Sequence, residues 1–545
     1  MVPMTIGTQR VVVGAGPMTA AQVVAVAREG ARVELAADGL DRLAKVRGHI
    51  DELAHSERPV YGVSTGFGAL ALRHIPPERR TDLQRSLIRS HAAGAGAPVE
   101  PEVVRAMMLL RLRTLMTGHT GVRPETARAL AELLDSGLIP VVPEYGSLGC
   151  SGDLAPLAAV ALALMGEGTV LGGAGSRAGA EDSRPMAEGA RPGSEGARPV
   201  VEGLRPMAEA MSEAGLTPLT LAEKEGLALT NGTDGMLGML LLAIADLHRL
   251  FDLADLTAAM SVEAQLGTDR VFAADLQQLR PHPGQAVSAA NMLAALADSE
   301  IVASHRGEDC PRVQDAYSLR CAPQVHGAAR DTLAHAETVA ERELSSAIDN
   351  PVVLADGRVE SNGNFHGAPV GYVLDFLAIA IADVASIAER RTDRMLDVHR
   401  SHGLPAFLAD DPGVDSGYMI AQYTQAGIVS ELKRCAVPAS VDSIPSSAMQ
   451  EDHVSMGWAA ARKLRRAVDG LTSVLAIELL TAARALDFRA PLRPAPVTAA
   501  ARDLVRERVP GPGPDRHLAP DIAAVERLIR SGAVNQILEQ GVSKP

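Results

Sequence analysis

Three consecutive residues, Cys150-Ser151-Gly152, carry groups that could build an electrophile from the backbone itself. Attack of the Gly152 amide nitrogen on the carbonyl carbon of Cys150 would close a five-membered ring. Loss of water, including loss of the Ser151 hydroxyl, would leave an exocyclic methylidene on an imidazolone. The step needs Gly152 because a side chain would obstruct the approach of one backbone unit to another. Ser-Gly-Asp alone is also a common turn, so the surrounding residues must show whether this one is catalytic or only a turn.

Two further stretches carry the polar side chains that an amino-acid site requires. Tyr61 precedes a glycine-rich, conformationally free loop. Gln314, Tyr317 and Arg320 lie three residues apart, so a helix there would place all three side chains on one face. An arginine on that face could clamp a carboxylate through two hydrogen bonds. These residues are therefore candidates for a site that binds an amino acid.

The elements that must position these residues are predicted to be mostly helical. Apolar residues recur at helical spacing in five runs: 225–265, 327–347, 370–396, 416–436 and 454–488. The unusual residues fall in loops: 61–68, 145–153, 229–235, 312–324, 361–367 and 446–456. Long helices joined by such loops indicate a mainly α protein, a long-helix bundle with a smaller mixed N-terminal region. Function is expected on the loops, which a rigid scaffold would hold in place.

The chain is predicted to divide into four parts. These are an N-terminal region over 1–171, a low-complexity insertion over 172–211, a central helical bundle over 212–490 and a C-terminal helical segment over 491–545. The insertion contains a seven-residue near-repeat in four copies, each beginning Arg-Pro. Because proline recurs in every copy, a continuous helix is excluded there and an irregular surface segment is expected.

Composition restricts the class of protein. The formal net charge of −14 argues against binding a polyanion, and 3% aromatic residues argue against a stacking surface for single-stranded nucleic acid. Four cysteines without a paired spacing indicate reduced thiols. Neither a signal peptide nor a membrane-spanning run is evident. We therefore expect a cytoplasmic protein that binds neither nucleic acid nor membrane.

Two other kinds of site are weakly indicated. Gly14-Ala15-Gly16 after an apolar run imitates a dinucleotide-binding turn, but the third glycine is missing and no chain of βαβ units follows. We interpret it as a strand and turn that lead into a helix over 20–28. No histidine or cysteine cluster has the spacing of a metal site, so no metal is predicted.

Taken together, the loop motifs resemble the histidine and phenylalanine ammonia-lyase family. The matching stretches are YGVSTGFG, SLIRSHAAG, GHTGVRPE, EYGSLGCSGDLAPL, KEGLALTNGTDGM, RPHPGQ, VQDAYSLRCAPQV, SNGNFHG and QEDHVSMG. The resemblance implies a helical bundle of the ammonia-lyase and fumarase-like type, assembled as a homotetramer with active sites shared between subunits. It also implies that the triad forms 4-methylidene-imidazol-5-one (MIO), with no external cofactor. Cys150 stands where the family usually has alanine.

The resemblance further implies roles for individual residues. Tyr61 matches the tyrosine that removes the β-proton, Tyr317 is a second candidate catalytic residue, and Arg320 would hold the substrate carboxylate. Ser90-His91 and Glu451 occupy selectivity positions and imply L-histidine as substrate, released as trans-urocanate and ammonia, because an imidazole can pair with both polar side chains. The remaining expected lining residues are Asn231, Gln314 and Phe365. Alternatives are another MIO enzyme (a tyrosine or phenylalanine ammonia-lyase, or an aminomutase) and a non-enzymatic helical scaffold.

Overall fold

The computed structural model describes residues 9–54, 64–65, 73–150, 152–171, 203–307, 310 and 313–542. These residues are mainly helical, as predicted. The helices of the first half are α1 Ala20–Arg28, α2 Ala37–Ala54, α3 Arg80–His91, α4 Pro101–Met116, α5 Pro124–Ser136, α6 Leu154–Leu164, α7 Met207–Glu213, α8 Glu225–Ala228 and α9 Asp234–Ala264. Those that follow are α10 Ala274–Gln278, α11 Pro283–Ala295, α12 Glu300–Ala303, α13 Tyr317–Arg320, α14 Ala322–Leu344, α15 Ala368–Leu396, α16 Met419–Cys435, α17 Gly457–Asp487, α18 Pro496–Arg506, α19 Ala519–Arg530 and α20 Ala533–Val542.

The strands within the described ranges are short and form small separate sheets. They are β1 Arg10–Val13, β2 Arg32–Leu35, β3 Ala95–Pro98, β4 Ile139–Pro140, β5 Pro143–Tyr145, β6 Thr169–Leu171, β7 Leu204–Pro206, β8 Val352–Val353 and β9 Val359–Glu360. The sheets pair β1 with β2, β3 with β5, β4 with β6 and β7, and β8 with β9. Most of the strands lie before residue 210, which agrees with the mixed N-terminal region predicted from the sequence.

All five predicted helical runs are confirmed, with one interruption. The runs correspond to α8 with α9, then α14, α15, α16 and α17. The first run breaks between Ala228 and Asp234, where a loop containing Asn231 and Gly232 separates the two helices. Asparagine and glycine favour turns over helix interiors, so this break follows from local residue types.

The glycine turn near the N-terminus does not introduce a nucleotide-binding fold. Strands β1 and β2 pair in parallel around α1, and the sheet that they form has two strands. Helix α1 begins where predicted because Thr19 and Gln22 form a reciprocal capping box. The interpretation as a strand and turn leading into a helix is confirmed.

The chain folds into two compact units. The first comprises Met1–Leu242, Val339–Tyr372 and Ala439–Arg462, and the second comprises Ala243–Thr338, Val373–Pro438 and Lys463–Pro545. Each unit is assembled from segments far apart in the sequence. The four-part division drawn from composition stays a prediction.

Buried polar groups join the long helices of the second unit. Glu478 on α17 accepts hydrogen bonds from Thr257 and Ser261 on α9, at 2.8 Å each, and forms an ion pair with Arg391 on α15. On α16, Gln425 donates to the carbonyl of Val474 on α17. A buried carboxylate is tolerated only when donors satisfy it, so Glu478 fixes the relative register of three helices.

The last copy of the sequence repeat is ordered. Leu204–Pro206 form β7, which pairs with β6, and α7 begins at Met207. The prediction of an irregular segment is therefore wrong for residues 204–211. Pro206 stands immediately ahead of the first helical turn, where a missing amide hydrogen costs nothing.

Helix α15 contains a long apolar stretch. It is long and apolar enough to cross a membrane, yet 61% of its most apolar window is buried inside the protein. Burial of this kind is typical of a core helix.

Candidate active site

Cys150 and Gly152 of the triad lie between β5 and α6, in the first unit. Cys150 is buried at 6% exposure, and Gly152 has a left-handed φ of +80°. A Cβ atom on Gly152 would lie less than 3.0 Å from the backbone of Gly232, so the two loops touch backbone to backbone. Ser151 lies outside the described residues. The glycine that the predicted ring closure requires is thus also required by packing.

Two side chains that were not predicted to belong to the site hold this loop. The Ser147 hydroxyl donates to Asp153 Oδ1 at 2.8 Å and accepts from the Gly149 amide at 3.1 Å. Asp153 Oδ2 accepts from the amides of Gly235 and Met236 in the first turn of α9, at 2.9 Å each. Both residues stand within the EYGSLGCSGD stretch, but nothing in the sequence distinguishes them from ordinary turn residues.

Asp153 is fully buried, and its ionisation is costly. Burial, and to a smaller extent the nearby charge of Asp234, raise its pKa, while the hydrogen bonds from Met236, Ser147 and Gly235 lower it; the net result is a pKa of about 7. The N-terminus of α9 offers the positive end of a helix dipole to the carboxylate. Loss of solvation outweighs these favourable contacts.

We expect this pKa to make stability pH-dependent. The ordinary aspartate value is 3.8, so the folded protein holds the proton more tightly than the unfolded chain does. The contribution of Asp153 to the free energy of unfolding is therefore greatest below about pH 4 and falls as the pH rises to about 7. Asp153→Asn keeps an acceptor for both amides and does not ionise. Urea unfolding should show wild type losing stability relative to this variant between about pH 4.5 and 7.

The matched control is Asp38→Asn, which replaces an exposed aspartate. The difference in free energy of unfolding between this variant and wild type should not change between about pH 4.5 and 7 as it does for Asp153→Asn. A difference between wild type and Asp153→Asn that stays flat, or grows in favour of wild type with rising pH, would contradict the assignment.

The loop after α8 carries Asn231 and is clamped by a buried arginine. Arg111, at 1% exposure, donates to the Asn231 carbonyl at 2.6 Å and to the Ile348 carbonyl at 2.9 Å. The Asn231 side-chain amide donates to the Asn350 carbonyl at 2.9 Å. Arg111 was not predicted to be a site residue, because a lone arginine in an apolar helix carries no signal of what it will bind.

Three loops meet at the Gly149 carbonyl. It accepts hydrogen bonds from the Ser455 hydroxyl at 2.7 Å and from the Gly367 amide at 3.0 Å. Gly367 ends the loop that carries Phe365, which is partly buried. Ser455 belongs to the QEDHVSMG stretch that also carries Glu451. The structure thus brings three predicted motifs together around the triad.

Of the predicted selectivity residues, Glu451 contacts the first residue of the triad, and its charge acts on His91. The Cys150 thiol donates to Glu451 Oε2 at 3.3 Å, and the Ser446 hydroxyl donates to the same oxygen at 2.9 Å. Burial lowers the pKa of His91, while a hydrogen bond to the Leu87 carbonyl and the charge of Glu451 raise it. The result favours a neutral imidazole, which can donate and accept. Ser90 Oγ lies 3.1 Å from His91 Nδ1.

The remaining predicted residues are placed elsewhere or not described. Helix α13 begins at Tyr317, so the prediction of one helical face is wrong for Gln314, which precedes the helix. The Arg320 guanidinium lies 4.7 Å from the centre of the Tyr317 ring, and its Nε donates to the Asp315 carbonyl. These three residues belong to the second unit. Tyr61 lies outside the described residues.

The described residues contain no group of three or more histidine, cysteine, aspartate or glutamate side chains that could hold a metal ion. The four cysteines all lie in the described ranges, and none of them forms a disulfide there.

Residues 18–507 match the sequence profile of the family described as aromatic amino acid lyase. The chain belongs to this family. Among the curated members, it is 63% identical over 525 residues to histidine ammonia-lyase of Streptomyces avermitilis, covering 96% of this chain and 97% of that one. It is 48% identical over 518 residues to histidine ammonia-lyase of Anaeromyxobacter dehalogenans, covering 95% and 98%.

Solved structures of aromatic amino acid lyases and aminomutases share its fold. The histidine ammonia-lyase of Trypanosoma cruzi superposes with a TM-score of 0.85 at 36% identity, covering 98% of this chain and 96% of that one. Tyrosine aminomutase of Streptomyces globisporus gives 0.88 at 36% identity, covering 98% and 99%. The fold predicted from the resemblance is confirmed, and the chain is a carbon–nitrogen lyase of this family.

Proposed function

We propose that the protein is a histidine ammonia-lyase that converts L-histidine to trans-urocanate and ammonia. The observation that carries this proposal is the position of Glu451, which hydrogen-bonds to the side chain of the triad's first residue and acts electrostatically on His91. An imidazole can pair with both side chains, whereas a benzene ring would leave them desolvated and unpaired. The relatives named histidine ammonia-lyase support the same substrate.

The triad fits the MIO group that the family resemblance implies. Gly152 presents no side chain to the ring-closing step, its φ of +80° suits glycine, and its backbone is held against Gly232. Cys150 contributes only backbone atoms to the ring, so its thiol does not prevent closure. When formed, the group supplies an electrophile that turns the substrate amine into a better leaving group.

The residues of the chain supply binding and proton transfer. We assign removal of the β-proton to Tyr61, binding of the substrate carboxylate to Arg320, and lining of the site to Asn231, Gln314, Tyr317 and Phe365. Arg320 stacks on Tyr317, which restricts the guanidinium before substrate arrives. His91 and Glu451 orient the imidazole.

Absorbance in the urocanate band after addition of L-histidine tests the proposal, with L-phenylalanine and L-tyrosine in parallel. We expect product from L-histidine alone. Product from an aromatic substrate would instead establish another MIO enzyme, and detection of a β-amino acid would establish an aminomutase. Absence of product from all three substrates would contradict a lyase of this specificity.

The double variant His91→Leu, Glu451→Gln should shift selectivity towards aromatic substrates. Loss of two polar partners should lower kcat/KM for L-histidine by ~100-fold or more, because a site built for polar groups discriminates strongly. Each single variant serves as the control and should give part of the shift. An unchanged ratio of kcat/KM for L-histidine and L-phenylalanine would refute the assignment of the pocket.

We also propose a cytoplasmic homotetramer with shared active sites. Four cysteines without a disulfide suit a reducing compartment. In the second unit, apolar side chains remain exposed on α15 and α16, namely Phe376 at 45%, Ile379 at 47%, Ile420 at 58% and Tyr423 at 63%. Apolar groups on helix faces of this kind are typical of a subunit interface. Light scattering should give four times the 57.0 kDa chain mass, and a monomeric mass would refute the proposal.

A further inference from the structure

The Cys150 thiol makes a side-chain contact that ring formation does not use. Its sulfur lies 3.3 Å from Glu451 Oε2, and the cysteine is almost completely buried. The ring would incorporate the carbonyl carbon of Cys150 and leave the cysteine side chain unchanged. The thiol therefore remains available to the finished site.

Electrostatics determine which of the two side chains donates the hydrogen bond. A thiolate at this distance from a carboxylate would be repelled, so the contact is attractive only when the sulfur keeps its proton and donates it. Ser446, five residues before Glu451, donates to the same oxygen. One carboxylate oxygen is thus held by two donors from different parts of the chain.

The segment that carries Glu451 has an unfavourable local conformation. Ser446 and Glu451 pair through two backbone hydrogen bonds, at 2.9 and 3.3 Å. Between them, Ser447, Ala448 and Met449 have left-handed φ values of 50°, 54° and 70°. Side-chain-bearing residues rarely adopt this region, and such backbones persist only where the surroundings hold them. The hydrogen bond from Cys150 therefore restrains the Glu451 side chain from outside the segment 446–451.

We propose that the Cys150 side chain is a positioning residue that holds the Glu451 carboxylate for the imidazole of the substrate. This inference rests on the proposed histidine ammonia-lyase activity. It assigns to Cys150 a second task, in binding selectivity, that is separate from its backbone contribution to the ring.

Kinetics of Cys150→Ala and Cys150→Ser test the proposal. Alanine cannot donate, so KM for L-histidine should rise ~3- to 10-fold, the effect of one modest hydrogen bond, with a smaller change in kcat. Serine can donate from a similar position and should bring KM back to within ~2-fold of wild type. Cys435→Ala removes another buried thiol, in the second unit, and should leave KM unchanged.

A binding measurement separates positioning from ring formation. In the Ser151→Ala background no ring forms, and calorimetry gives the Kd of L-histidine directly. Adding Cys150→Ala should weaken this Kd ~3- to 10-fold, and in a Ser151→Ala, Glu451→Ala background it should have no further effect. An unchanged Kd, or failure of serine to restore KM, would overturn the proposal. Wild-type turnover of L-histidine independently reports whether the proposed function holds.

Discussion

Replacement of Ser151 by alanine is expected to abolish ammonia release while the protein stays folded. In the proposed chemistry, the β-hydroxyl of Ser151 must leave for the methylidene to form, so the variant cannot build the electrophile. Removal of a covalent catalyst typically costs several orders of magnitude, and we expect kcat for L-histidine to fall by at least ~1000-fold. Intact mass should show wild type lighter than its sequence by two water molecules and the variant at its full sequence mass.

Circular dichroism and thermal unfolding provide the control for this experiment, because Ser151→Ala should leave helix content and Tm close to wild type. Retained turnover in a variant of full sequence mass would contradict an electrophile built from residues 150–152.

Replacement of Gly152 by alanine is expected to destabilise the protein and also prevent ring formation. The added Cβ would lie less than 3.0 Å from three backbone atoms of Gly232, and backbone cannot move aside as a flexible side chain can. The left-handed φ of +80° adds a second cost. We expect a loss of ~4 kcal/mol or more in the free energy of unfolding, together with no detectable activity.

Gly137→Ala is the matched control for this prediction. Gly137 has nearly the same φ, +77°, but nothing lies within 4 Å of the position of its Cβ. The Gly137→Ala variant should therefore lose only ~1–2 kcal/mol in the free energy of unfolding, the cost of a left-handed φ at alanine, and keep its activity. Equal losses in the two variants would show that contact with Gly232 contributes little.

The sequence was sufficient to predict the helices because their apolar spacing is regular over many turns. Runs such as 370–396 and 454–488 correspond to α15 and α17 within a few residues. The prediction for Gln314 failed because spacing of three describes a helix only if one forms. The structure provides a single turn that begins at Tyr317.

Part of the site was predictable from its loop motifs, and its supporting contacts were not. The motifs indicated Cys150, His91 and Glu451 together, and these three lie near one another in the first unit. Arg111 and Asp153 could not be identified, because their roles depend on partners far away in the sequence. A buried side chain of this kind acquires its role only when the chain has folded.

The dependence of the triad loop on α9 has a consequence for biosynthesis. Asp153 is held by an amide 82 residues further along the chain, and Gly152 packs against Gly232 in the same region. A nascent polypeptide that ends before these residues emerge lacks the partners that shape the loop. We therefore expect the proposed electrophile to form only after this part of the chain has left the ribosome and folded. Because the loss of water is covalent, the fraction of dehydrated molecules in a preparation would then report the fraction that folded correctly.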